Sequence, residues 1–301
     1  MSAVIEENGV LLCASCGVVG GDDIKLKNCD DCDLVKYCSD ECQKEHRPDH
    51  EQVCEKRAAE LYDEILFKQP ESNHYGDCPI CCLPIPLDPK KSTLYQCCSK
   101  IICNGCNYVN QKREYERRLQ NRCPFCRCAA PKTDEECIKQ LMKRIEANDP
   151  VAMRQMGTER FKKGNYESAF EYWARAAALG DAHAHFQLSG MYREGKGVEK
   201  DMKRVLHHLK EAAIGGHPEA RYNLAYFEDI VRLDRAAKHW IIAANLGHDL
   251  SLECLKDAYT SGFISKEDFA AALRGHHTAI KATKSPQREE AAKLMQVRGH
   301  K

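Results

Sequence analysis

Residues 37–54 read YCSDECQKEHRPDHEQVC, and the spacing inside this stretch decides how the first half of the chain folds. Cys38 and Cys42 are four positions apart, and so are His50 and Cys54. On a helix an i,i+4 pair projects from one face, so each pair can grip a single ion. Moving outward, Cys13-x2-Cys16 and Cys29-x2-Cys32 bring the candidates to eight, enough for two tetrahedral sites. Closed sets of thiolates and imidazole are what structural zinc prefers. A segment this short, with few large apolar side chains, cannot bury enough surface to fold unaided, so the metal has to supply folding free energy.

The rest of the cysteine usage extends the pattern. The chain has 301 residues and 19 cysteines, and 17 of those cysteines fall between Cys13 and Cys128. The N-terminal MSAVIEENGVLL lacks the basic flank of a secretory signal, and no apolar run approaches the ~20 residues a bilayer span requires. An intracellular protein, cytoplasmic or nuclear and without membrane contact, is expected. Its thiols then stay reduced and favour metal over disulfides. A second block supplies Cys78-x2-Cys81, the adjacent Cys97 and Cys98, Cys103-x2-Cys106 and Cys123-x2-Cys126. Sixteen ligands predict about four zinc ions in structural roles. Cys82 and Cys128 read as bystanders beside the ligands, and Cys137 and Cys254 as ordinary thiols inside helical patterns. Residues 1–130 hold 17 Lys plus Arg against 21 Asp plus Glu, a formal charge of −4 before any thiolate is counted. Nucleic acid is therefore not an expected partner, despite Lys112, Arg113, Arg117 and Arg118 on one polar helix.

From Thr133 onward the pattern turns helical. Thr133 and Glu136 have the spacing of a capping box. AAALG ends at Gly180, AAIGG at Gly216 and AANLG at Gly247, spacings of 36 and 31 residues. Such a period signals stacked helical hairpins, each closed by a glycine free to take a left-handed cap. Trp173 and Trp240 occupy matching places and read as core. A degenerate fourth unit runs from His248 to Arg274, and the tail 275–301 reads as a solvated helix or disordered. His207, His208, His276 and His277 show no metal spacing and read as surface residues. The fold class that follows is multidomain: 13–54 and 78–128 as two small zinc-stabilised fingers, a helix and linker over 55–77, then an all-α helical-repeat solenoid over 133–274.

The string at 37–54, together with the upstream pairs, resembles the MYND zinc finger. That resemblance implies one site from Cys13, Cys16, Cys38 and Cys42, and another from Cys29, Cys32, His50 and Cys54, with His50 preferred over His46. Arg47 stands where the family usually carries tryptophan, in the part of the finger that helps some relatives bind proline-containing peptides. The second block, opening on CPIC and closing on CPFCR, resembles an all-cysteine RING finger. Its implied sites are Cys78, Cys81, Cys103 and Cys106, and Cys97, Cys98, Cys123 and Cys126, of which Cys97 is the least secure. The helical half, best at QLSGMYREGKGVEKD, resembles Sel-one-like repeats, relatives of the tetratricopeptide class, with Ser189 in place of the usual glycine.

A RING-type ubiquitin transferase has no nucleophile of its own. It positions a charged ubiquitin-conjugating enzyme for attack on the thioester. The resemblance assigns partner-binding roles to Ile80, Pro124 and Arg127. The plain alternative makes them a core residue, a turn and a solvated charge. The expected function is a zinc-dependent RING-type ligase or ligase adaptor with target proteins held on the repeats. The alternatives are a non-enzymatic interaction scaffold and a transcriptional cofactor.

Overall fold

A computed structural model describes residues 6–7, 10–229 and 232–298. The chain divides into two compact units, one ending at Lys68 and the other beginning at Gln69.

The first unit has little apolar core. Short antiparallel strands β1 (Glu6–Glu7) and β2 (Val10–Leu11) pair, as do β3 (Lys27–Asn28) and β4 (Lys36–Tyr37). Helix α1 runs over Asp40–Leu66. Ser39 caps it by accepting from the Cys42 N–H, and Asp40 and Glu41 sit in its first turn, where acids favour the helix dipole. Of its 27 residues only His50 and Leu66 are buried, and Pro48 removes one backbone hydrogen bond from its interior. A helix this polar is not held by an apolar face. It is also longer than the sequence suggested, because the segment after Cys54 continues the finger's own helix.

The second unit contains both the second cysteine block and the helical array. Strands β5 (Ser92–Tyr95) and β6 (Lys100–Cys103) form a hairpin that leads into α2 (Asn104–Glu116). Helix α3 (Asp134–Glu146) starts at Thr133, whose side chain accepts from the Glu136 N–H, while the Glu136 carboxylate reaches back to the Lys132 N–H. Then come three hairpins: α4 (Pro150–Lys162) with α5 (Tyr166–Ala178), α6 (Ala182–Glu194) with α7 (Met202–Ile214), and α8 (Pro218–Asp229) with α9 (Leu233–Asn245). Helices α10 (Asp249–Thr260) and α11 (Lys266–Ala282) follow, and α12 (Pro286–Arg298) ends the described chain.

Gly180, Gly216 and Gly247 all have φ near +80°, the left-handed closure their repeat positions imply. Buried alanines at 176, 212 and 243 bring neighbouring helices close, and Trp173 and Trp240 are both buried in the array. Two expectations change. Helix α12 packs on α2, with Ala291 buried, rather than standing free in solvent. His276 is buried and bonded to Asp249, and half-buried His208 contacts His185 and stacks on Tyr192; only His207 and His277 of the four are exposed. The tail residues 299–301 lie outside the described part.

Candidate metal centres

Four of the five Cys-x2-Cys steps are built alike. The residue after the second cysteine lies in the left-handed region and returns its N–H to the carbonyl of the first. Gly17 bonds Cys13, Asp33 bonds Cys29, Cys82 bonds Cys78 and Arg127 bonds Cys123, at 2.8–3.3 Å. Glycine takes that conformation freely, whereas a residue with a Cβ pays about 1–2 kcal/mol for it. Three of these corners carry a side chain, so something must hold them in place. The fifth step, Cys103 to Cys106, is a helix start: the Cys103 thiol accepts the Cys106 N–H at the head of α2.

The adjacent Cys97 and Cys98 are brought together by the β5–β6 hairpin. Tyr95 pairs with Lys100, so residues 96–99 form its tip, closed by Ser99 at φ 54°. Both thiols then face the 123–126 corner.

The sixteen sequence-predicted ligands gather into four groups whose donor atoms all lie within 4.8 Å of one another. They are Cys13, Cys16, Cys38 and Cys42; Cys29, Cys32, His50 and Cys54; Cys78, Cys81, Cys103 and Cys106; and Cys97, Cys98, Cys123 and Cys126. In each module the first and third pairs share one group and the second and fourth share the other, an interleaved cross-brace. Donor separations test the fit to zinc. A tetrahedron with ~2.3 Å Zn–S arms has edges of about 3.8 Å. The Sγ–Sγ distances are 3.6 Å for Cys16–Cys38, 3.7 Å for Cys29–Cys54, 3.8 Å for Cys81–Cys103, 3.8 Å for Cys98–Cys123 and 3.4 Å for Cys97–Cys126. All nineteen cysteines are free of disulfides. His50 Nε2 lies 3.1 Å from Cys32 Sγ, whereas His46 turns its Nδ1 to the Tyr37 hydroxyl at 3.0 Å. Sequence spacing allowed either histidine; only His50 joins the group.

The thiols carry the electrostatic mark of a cation site. Burial resists ionisation of Cys13, yet N–H groups of Cys16, Cys38 and Ser15 bring it down to about 6. Cys78 falls to about 4, chiefly through its contact with the Cys103 thiol, with burial opposing. Burial first, and then negative neighbours, push Cys54, Cys98 and Cys106 up to about 12. In the groups of Cys13 and Cys78 one thiol ionises readily while Cys38 and Cys106 beside them hold their protons. A divalent ion relieves that conflict by displacing them.

A fifth cluster, His74, His183 and His217, was missed in the sequence. Its geometry differs. The His74 and His217 rings stack with centroids 4.0 Å apart and planes 16° from parallel. An ion must lie in the plane of each ring that binds it, and two stacked planes share no such point. His217 Nδ1 also accepts the Ala220 N–H, which places its proton on Nε2, facing His183 Nδ1 at 3.2 Å. Burial lowers all three pKa values, His183 to about 3, so the stack is neutral. It clips the segment before Cys78 to the repeats: the His74 N–H donates to the Gly216 carbonyl at 3.0 Å, and a Cβ on Gly216 would meet the Ser72 carbonyl at 2.6 Å.

The proposed partner-binding residues differ in exposure. Ile80 is 42% exposed at the tip of its corner, and Phe125 beside buried Pro124 is 45% exposed. Arg127 donates to Asn110 Oδ1 at 2.7 Å and lies 3.9 Å from Glu114. In the first unit a groove of about 240 Å³ follows α1 past Tyr37, Gln43, Arg47 and Glu51.

Residues 13–54 match the MYND finger family model. The first module is a MYND finger. Residues 150–181, 182–217 and 218–248 each match the Sel1 repeat, and they coincide with the three helical hairpins. Two curated relatives are named DAP3-binding cell death enhancer 1. The Mus musculus protein is 28% identical over 204 residues, covering 54% of this chain and 40% of that protein. The Rattus norvegicus protein is 29% identical over 72 residues, 24% of this chain and 14% of that one. The chain thus spans less than half the length of either. Among solved structures, a Sel1 repeat protein from Oxalobacter formigenes aligns at 21% identity and TM-score 0.43, over 60% of this chain and 72% of that one. The antigen c5321 of uropathogenic Escherichia coli, with an SLR fold, aligns at 22% and 0.38, over 56% and 36%. No helix among the described residues is long and apolar enough to cross a membrane.

Counting ions in single variants tests membership of the fourth group. Cys97→Ser is expected to lose one zinc per chain by native mass spectrometry, while Cys82→Ser and Cys128→Ser keep the full complement. A Cys97→Ser protein with unchanged zinc would remove that residue from the ligand set.

Proposed function

We propose that the chain is a zinc-stapled interaction scaffold whose second module recruits a ubiquitin-conjugating enzyme while the Sel1 repeats hold a target protein. Four zinc ions, on the sixteen residues grouped above, serve as structural cross-links in this reading. Positioning is the whole of the catalytic contribution, since no residue of the chain needs to attack or transfer a proton. The carrying observation is Ile80. It sits between two cysteines of an interleaved module, yet it is exposed and not part of the core. An apolar side chain held out on this corner offers area on which a partner can dock. Phe125, exposed on the 123–126 corner of the same module, adds apolar area.

A docking-only reading has one observation in its favour. Arg127, expected to bridge enzyme and ubiquitin, is already engaged by Asn110 and Glu114. The name shared by the two curated relatives supports a protein partner in either reading, with the helical repeats as the receptor.

Ubiquitin discharge separates the two. Zinc-loaded protein is mixed with a panel of charged conjugating enzymes. Accelerated discharge is expected with at least one of them, reduced at least tenfold by Ile80→Ala and by Arg127→Ala in variants that retain zinc. If no enzyme in a broad panel responds, the transferase reading falls and the docking scaffold remains.

A further inference from the structure

We propose that Arg288, on the C-terminal helix α12, is an outer-sphere partner of the metal group formed by Cys78, Cys81, Cys103 and Cys106, holding that ion from a distance of more than two hundred residues along the chain. The inference rests on reading this group as a zinc site.

Both terminal nitrogens of the guanidinium are engaged. Nη1 donates to the Pro84 carbonyl at 2.7 Å and to the Thr283 carbonyl at 2.9 Å. Nη2 donates to the Leu83 carbonyl at 3.1 Å and reaches the Cys81 sulfur at 3.4 Å. The Leu83 and Pro84 carbonyls belong to the segment that follows the Cys78–Cys82 corner, so Arg288 braces the corner and its ligand together. Arginine's planar fork suits this task, because several donors are fixed at once.

The facing surface is shaped for it. Gly105 lies between two ligands on α2, and a Cβ there would stand 2.8 Å from both Arg288 Cγ and its backbone nitrogen. Only glycine lets α12 come this close. Beyond it, Tyr108 donates to Glu290 at 3.2 Å, Lys112 lies 3.9 Å from Glu290, and Asn104 donates to the Met295 sulfur at 3.4 Å.

The charge logic follows. Four thiolates around a divalent ion leave a net double negative charge. An N–H donor on a ligand sulfur disperses that charge and keeps the thiolate from taking up a proton. The same contact orients the ligand, as partners beyond the ligands do at metal sites generally. None of the other three groups has an arginine hydrogen-bonded to a ligand sulfur among the described residues.

The test is cadmium-113 NMR of the cadmium-loaded full chain together with transfer of zinc to a chromophoric chelator. Arg288→Gln is expected to shift one tetrathiolate resonance and leave the others in place. It is also expected to release one ion ~10–100-fold faster. Arg288→Lys keeps the charge but not the fork, and should fall between the two. The pair Glu290→Ala and Met295→Ala loosens α12 without touching a ligand sulfur, and should leave the resonance unmoved. If all wild-type resonances persist unchanged in Arg288→Gln, or if Glu290→Ala with Met295→Ala gives the same shift, Arg288 has no role at the metal. A spectrum in which Cys78→Ser removes no resonance would instead sink the site assignment on which the inference stands.

Discussion

Stripping the metal with a strong chelator is expected to remove between a quarter and a third of the helical circular dichroism and leave the rest in place. Helix α1 has two buried residues in 27, and one of them, His50, belongs to the second metal group. Helix α2 begins on a ligand, and α12 is docked against it. These three helices have little to hold them once the thiols are protonated and the left-handed corners at Asp33, Cys82 and Arg127 are released. Small zinc-finger peptides gain about 10–16 kcal/mol from each structural ion, as much as the whole stability of a typical domain. Helices α3 to α11 bury their own apolar core, from Leu141 and Met153 through Trp173 to Leu255. Loss of nearly all helix signal would show that the array depends on the metal too. No loss would show that the cysteine modules stand without it.

The largest effect expected from a single apolar substitution is at Trp173. Its side chain is 2% exposed, packs against Phe161, and donates its indole N–H to the Arg154 carbonyl at 3.0 Å. Trp173→Ala leaves a cavity and an unpaired carbonyl, and large aromatic deletions of this kind cost about 3–5 kcal/mol. For an array of this size that is roughly 10 °C in Tm, at about 2–4 °C per kcal/mol. The same contact has an opposite face. Gly157 on α4 lies under the indole, and a Cβ there would sit 2.5 Å from its Cδ1. Gly157→Ala should therefore destabilise by about 1–3 kcal/mol through overpacking, against the general helix preference for alanine. Thermal unfolding of zinc-loaded protein followed at 222 nm reads both. An unchanged Tm in Trp173→Ala would mean that the tryptophan is not a keystone of the first hairpin.

Local chemistry was the legible part. Cysteine spacing places donors within a few residues of one another. Glycines at 180, 216 and 247 mark turns that need φ > 0. The capping residue Thr133 announces a helix start. These signals act over one or two turns, so a sequence carries them directly. What was not legible acts across the chain. Arg288 meets Cys81 across an interval with no periodic trace, and its one local hint was Gly105, a glycine in a helix where alanine would serve. His74, His183 and His217 each look isolated along the chain, and only the repeat packing stacks them. The full length of α1 was hidden because its polar surface has no apolar period to read.

The strap over Gly216 fixes a distance. Gln69 is bonded to Asn245, His74 to Gly216, and Asn73 to Ile85 inside the second cysteine module. Two binding faces joined by a floppy tether sample each other at a concentration set by tether length. In the function proposed above, the Ile80 corner and the repeats belong to one compact unit, so a partner seated on both would be presented at one span and angle. Selection among the surface groups of such a partner would then follow from where they lie in space, as with a ruler and not a leash.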